Sequence, residues 1–293
     1  MPKITVFQVP FTSTRTDLPL LSKDALIREA NGSGSVRAVI DLGDETGYSS
    51  LVASPPNGTA LNNLTGESSV NANVVVTATG QLTYAGGGLD LSSTTGAGQF
   101  VQISNALAGI FSNQNFLITA YYKLPTLANW NTSATISTLA DAGTFNVGAD
   151  LLNINMTNGP AVTFRRQNGA GPSVQTFTVN LDASDYGKLA QLAFYRTSAG
   201  QAALVRTSLE NIRWSTSNVG GVLAARGIDN PQDFSANATR VGRASFSTGA
   251  APNGYSGLKL YRFFLVNMNL DNRDPLTLLN RDWARVVSRG QFV

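Results

Sequence analysis

The 293-residue chain has no histidine and no cysteine, which narrows its chemistry before any element is placed. A Ser-His-Asp triad, a Cys–His nucleophile pair and a zinc site of the usual His/Cys type are all excluded. Oxygen-ligated calcium and carboxylate chemistry remain open. Glutamate is scarce, with Glu29, Glu45, Glu67 and Glu210 forming the whole set. Asp44 and Glu45 are adjacent, so on a strand their carboxylates point to opposite faces, and a solvated turn suits them better. Saccharide binding needs an exposed aromatic platform with planar polar partners. Trp130 in its Asn-rich loop, Tyr255 and the Arg165-Arg166 pair are the candidates. Arg281, Arg285 and Arg289 form a cationic stripe that suits a solvated face near a helix C-terminus. Contact with an acidic surface of another subunit is the alternative for that stripe.

These residues must be held by short strands. Charged residues make up only 13% of the chain, while 28 glycines and many Asn, Ser and Thr separate brief Val/Ile/Phe/Tyr runs. Such a composition predicts many strands joined by polar turns. From Val74 onward a new strand starts about every ten residues, including 116–124, 161–166, 174–181 and 189–196. Asn158-Gly159 and Asn168-Gly169 are hairpin signals between them. The series predicts a two-sheet sandwich. Its last members are a strand over 258–270, apolar on both faces, and a helix with Asp274 as N-cap, Pro275 in its first turn and Gly290 past its end. The strand places Leu258, Leu260, Phe264 and Val266 on one face and Tyr261, Phe263 and Leu265 on the other. The helix stripe is Leu276, Leu279, Trp283, Val286 and Val287.

Residues 1–70 differ from the rest. They hold two short strand signals, one helical stretch from an N-cap at Ser22 to Ala30, and too few apolar residues for a core of their own. They read as an arm and anchoring segment that packs on the main domain, residues 71–293, or on another subunit. The N-terminus has no secretory signal, and no apolar run is long enough for a membrane span. The formal charge is only +3, with no basic run, so no nucleic-acid partner and no membrane insertion are expected.

Several segments in this order resemble the concanavalin A-like, laminin G-like jelly-roll family. GGLDLSSTTGAGQFVQIS is similar to the early strand pair, FLITAYYKLP to the strand that follows, and YGKLAQLAFYRTSAGQAALVRTS to the central hairpin. TRVGRAS and GYSGLKLYRFFLVNMNLDNRDPLTLLNRD are similar to the closing strands and terminal helix. The resemblance implies an all-β, two-sheet antiparallel jelly-roll sandwich with an N-terminal extended arm and a C-terminal helix. Its hydrolase branch carries two Glu on alternate positions of one strand, a pair this chain lacks, so a non-enzymatic protein is expected. Family members often hold calcium at a loop rim, for which Asp141, Asn146 and Asp150 are the candidate ligands, although none is required. With its arm and its composition the chain also looks like a virion protein of a tailed bacteriophage. That implies a capsid decoration, tail tip, baseplate or fibre component, made in the bacterial cytoplasm, a homo-oligomer joined to other virion proteins and touching host-surface glycans. The alternative is a free carbohydrate-binding module or a glycan-active enzyme of the same fold.

Overall fold

A computed structural model describes residues 24–30, 33–44, 46–48, 52–76, 82–92, 99–110, 113–130, 133–141, 151–169, 173–231, 238–243 and 257–290. The first element is a single helical turn, α1 (Ala25–Glu29), whose N-cap is Asp24, its carboxylate accepting from the Leu26 amide. The expected cap, Ser22, lies outside the described residues. Strands then follow in chain order: β1 (Val36–Asp41), β2 (Ala60–Leu61), β3 (Ala72–Val76), β4 (Thr83–Ala85), β5 (Gly88–Asp90), β6 (Gln99–Ile103) and β7 (Phe116–Lys123). After a short 3-10 turn come β8 (Ser133–Asp141), β9 (Leu152–Thr157), β10 (Ala161–Gln167), β11 (Val174–Asn180), β12 (Leu189–Thr197), β13 (Gly200–Arg206) and β14 (Ile212–Trp214). The chain closes with β15 (Ala238–Arg243), β16 (Lys259–Asn267) and α2 (Pro275–Ser288).

The strands form two antiparallel sheets, which is the all-β sandwich with a C-terminal helix that the sequence predicts. One sheet runs β14-β13-β12-β7-β16-β5-β4, with β1 also paired to β16, and the other runs β11-β10-β9-β8-β15-β6-β3-β2. Between them lies an apolar core that includes Ile118, Tyr122, Ile154, Phe164, Phe177, Phe194 and Phe263. A second apolar layer covers the outer face of the first sheet, where Leu117, Tyr121, Leu204 and Phe264 meet Leu26 of α1 and Leu278, Leu279, Trp283 and Val286 of α2. The Tyr121 and Trp283 rings stack with centroids 6.0 Å apart. Asp274 caps α2 by accepting from the Thr277 amide at 2.7 Å. The buried stripe includes Leu278, whereas Val287 is 45% exposed.

Strand β16 is buried on both faces, but its alternation slips. Its register against β7 shifts between Leu260 and Arg262. An extra residue in a strand reverses every later side chain. Leu258, Leu260, Phe263 and Leu265 therefore face the inter-sheet core, while Tyr261, Phe264 and Val266 face the helices. This corrects the uninterrupted period-two expectation.

The bulge also aims Arg262 at the helix layer. Its guanidinium, fully buried, reaches Asp24 at 2.8 Å, Asp41 at 2.6 Å and Asp282 at 2.8 Å. A buried charge is tolerable only when paired and hydrogen-bonded. The partners come from the α1 cap, the end of β1 and the middle of α2, so one side chain joins α1, β1 and α2 to β16. The Tyr121 hydroxyl donates to Asp282 at 2.7 Å and accepts from the Gln191 amide at 2.6 Å. Burial, then the adjacent Asp282 charge, pushes that phenol well above its ordinary pKa.

The described part of residues 1–70 is a constituent of both sheets. Strand β1 runs antiparallel to β16 from Val36↔Val266 to Asp41↔Arg262, and β2 extends the other sheet along β3. The expected boundary at residue 70 does not coincide with a break in either sheet.

Candidate functional site

The end of β16 and the turn before β7 build a pocket. Asn267, the last residue of β16, is buried and fully engaged. Its amide group donates to the Gly109 carbonyl at 3.0 Å, its side-chain oxygen accepts from the Asn269 N–H at 3.0 Å, and its backbone N–H donates to Ser35. Asn113 and Gln114 precede β7 with φ of 71° and 44°. Asn tolerates this left-handed conformation better than most residues. The turn is also pinned from below. Arg196 donates to the Asn113 and Gln114 carbonyls at 3.1 and 2.9 Å. Gln114 exchanges two bonds with the backbone of Asn230.

The result is an open pocket of about 480 Å³, with Asn267 in its wall beside Arg37, Ala108, Gly109, Asn113, Asn269 and Leu270. Asn269 is exposed and its side-chain oxygen accepts from Asn115 at 3.0 Å, while Leu270 is 53% exposed. Planar amides arranged around an apolar side chain suit a small polar ligand that also carries C–H faces. On one side Arg37 is paired with Glu67 at 2.7 Å. On the other, Arg226 donates to the Asn113 carbonyl and to the Asn115 side-chain oxygen.

The saccharide candidates read from sequence lie elsewhere. Trp130 is 8% exposed, its indole N–H donates to the Thr157 carbonyl at 2.9 Å, and its ring meets Tyr186 edge-on at 5.9 Å. The ring is folded onto the sandwich edge, the reading of Trp130 that competes with an exposed saccharide platform. It follows the end of β7, whereas Asn113 precedes the start, so the eight residues of that strand separate it from the pocket. Arg166 is buried, with its guanidinium on the carbonyls of Gln167 and Ile228 and on the Asn168 side chain. Arg165 is partly buried on β10, opposite Thr176 of β11. Tyr255 lies outside the described residues.

Of the calcium candidates, Asn146 and Asp150 lie outside the described residues, and Asp141 is placed only as the β8 residue paired with Ala238. Among the described residues no three His, Cys, Asp or Glu side chains gather as a metal site would require. The arginine stripe of α2 finds acids within its own chain. Arg285 pairs with Glu29 at 3.0 Å, Arg281 approaches the same carboxylate at 3.7 Å, and Arg289 pairs with Asp41 at 2.5 Å. Sequence reasoning missed the pocket asparagines because Asn in a turn reads as a turn former. The available signal was the clustering of amides in the runs 113–115 and 267–269.

No protein-family model matches the chain, and no curated protein matches it either. Solved structures do. The binding domain of botulinum neurotoxin DC in complex with SialylT is 13% identical, with a TM-score of 0.51 over 86% of this chain and 52% of that one. A structure of botulinum neurotoxin type C, whose cell entry is dependent upon interaction with two ganglioside molecules, is 14% identical, with a TM-score of 0.50 over 87% and 52%. A Trypanosoma rangeli sialidase in complex with sialic acid is 15% identical, with a TM-score of 0.48 over 84% and 32%. The chain thus spans about half the length of the neurotoxin structures and about a third of the sialidase. At these identities the likeness is one of fold. The expectation of a non-enzymatic protein is not carried by this fold, since the similar structures include sialidases, which are enzymes.

Proposed function

We propose that the protein is a glycan-binding β-sandwich and that the pocket at the end of β16 receives the sugar. The observation that carries this reading is the pocket itself, with exposed amides of Asn113 and Asn269 beside the apolar Leu270. Amides offer a donor and an acceptor in one plane, as paired hydroxyls require, and Leu270 supplies apolar contact. The ganglioside and SialylT named with the two neurotoxin structures lend support from proteins of similar fold. A glycan array with the full chain, Leu270→Asp and Asn269→Ala tests it. Wild type should mark a defined set of glycans, and both variants should lose it while keeping the wild-type melting temperature. An array without signal, or variants that bind as wild type does, removes the assignment.

The same proposal extends to a place of work, the particle of a tailed bacteriophage assembled in the bacterial cytoplasm. The support is the His- and Cys-free, Gly-, Asn-, Ser- and Thr-rich composition. Residues 1–23 would meet other virion proteins or a second copy of the chain. Protease digestion is the test: residues 1–23 should be cleaved in the free protein and protected in the particle. Equal protection in both states would count against that placement.

A further inference from the structure

Among the described residues the charges around the pocket do not balance. Arg37 is matched by Glu67, and Asp271 by Arg273 at 2.5 Å. On the β7 side three guanidiniums, of Arg166, Arg196 and Arg226, have among the described residues one carboxylate between them, that of Asp229. Arg196 meets it at 2.6 Å and Arg226 at 3.0 Å. Their other partners are neutral. Arg166 rests on the Gln167 and Ile228 carbonyls, and Arg196 on the Asn113, Gln114, Arg226 and Gly227 carbonyls. Carbonyls satisfy N–H groups but cancel no net charge. The side-chain Nε of Arg166 is buried with no hydrogen-bond partner. Burial, reinforced by the Arg196 and Arg226 charges, lowers the Arg166 pKa to about 10. Crowded cations respond in this way when too few anions are present.

Of the three, Arg226 alone is open to solvent, and it sits behind Asn113 of the pocket wall. Its side chain is 26% exposed, against 0% for Arg196, and Arg166 is buried. Its Nη2 donates to the Asn113 carbonyl, and its Nε lies 3.4 Å from the side-chain oxygen of Asn115, which in turn holds Asn269. A ligand group beside Asn113 and Asn269 would therefore lie next to the outermost member of a cationic cluster that the described acids do not fully compensate.

Resting on the glycan reading, we infer that the sugar taken by this pocket carries an anionic group, a carboxylate or a sulfate ester, and that Arg226 sets that preference. The guanidinium offers planar, charge-assisted donors to such a group. The amides of Asn113 and Asn269 engage neighbouring hydroxyls, and Leu270 covers an apolar face.

Calorimetric titration of the full chain with sialyllactose, 3′-sulfated lactose and lactose tests the inference. A parallel arm uses vesicles bearing a sialylated glycolipid to separate a lipid headgroup from a free saccharide. Both acidic probes should bind at least tenfold more tightly than lactose, and Arg226→Gln should bring them to the lactose level. Arg226→Lys should recover part of the preference. Should Arg226→Gln fail to fold, salt titration of wild type reads the same effect, because the acidic probes should weaken as salt rises and lactose should not. Lactose binding as well as the acidic probes, or an acidic preference that survives Arg226→Gln, overturns the charge assignment and leaves the glycan reading intact. A chain that binds no probe here and no glycan on the array overturns both.

Discussion

Arg262 and Asp282 meet at 2.8 Å with both side chains closed to solvent, and through that contact the last strand holds the last helix. The pair does not stand alone. Asp24 and Asp41 crowd the same guanidinium, and Arg289 approaches from the helix end to bond Asp41 at 2.5 Å. A buried ion pair is a poor source of net stability, because desolvation offsets attraction, yet removal of one member leaves a stranded charge. Arg262 is therefore more costly to lose than any one of its acids.

Arg262→Met should destabilise the fold by about 3–5 kcal/mol, since it takes the shared cation from buried carboxylates of α1, β1 and α2 and leaves Asp41 to Arg289 and Asp282 to the Tyr121 hydroxyl. Asp282→Asn should cost less, because the amide oxygen still accepts from Tyr121. Urea denaturation of both variants checks the order. Equal losses would mean that the network acts as isolated pairs.

Stability should fall at both ends of the pH range, for different reasons. Burial works to raise the Asp24 carboxyl, but the Arg262 charge and hydrogen bond outweigh it and hold the group below its ordinary value. A carboxyl lowered in the folded state contributes fully above its unfolded pKa, about 4, and loses that contribution as pH falls through the folded value. Tyr121 has the opposite sign. Its raised phenol contributes fully below about pH 10 and is lost as pH climbs through the folded pKa. Urea midpoints measured across pH should form a plateau with both limbs falling. Asp24→Asn should flatten the acid limb and Tyr121→Phe the alkaline one, and unchanged limbs would show that other groups set them.

The sheets and terminal helix were legible because they follow from period and end signals that any window of the chain carries. Asp274, Pro275 and Gly290 mark α2 without reference to anything distant. The pocket was not legible, because Arg37, Asn113 and Asn269 come from strand β1 and from two turns far from it in sequence. The pairing of β1 with β16 joins residues more than two hundred positions apart, and nothing local in Val36–Asp41 names its partner. Arg262 and Asp282 did leave a trace. Each is a charge set within an apolar face, and two such interruptions on neighbouring elements are best explained by each other.

Gly88 should tolerate no side chain. A Cβ there would lie 2.6 Å from Cδ1 of Tyr261 and 2.8 Å from the Leu260 carbonyl. Strand β5 sits that close because Gly88 lies beside the bulge of β16. Gly88→Ala should cost about 1–3 kcal/mol, as overpacking does in a filled core. Combined with Tyr261→Leu, it should cost less than the two changes summed, since the smaller side chain relieves the clash. Additive losses would locate the strain elsewhere.

Removing the helix should unfold the sandwich. A chain ending at Leu270 loses Leu278, Leu279, Trp283 and Val286 from the outer face of the first sheet, and their partners Leu117, Tyr121 and Phe264 would stand in water. Each large apolar side chain fully buried contributes roughly 1.5–3 kcal/mol. The four together approach the whole stability of an ordinary domain, about 5–15 kcal/mol. The truncation also deprives Arg262 of Asp282, Gln191 of its bond to the Leu279 carbonyl and Ser35 of its bond to Asp271. The expected outcome is an insoluble product, or a soluble one without cooperative thermal unfolding. A truncated chain that stays soluble and melts cooperatively would show that the two sheets suffice without the helix layer.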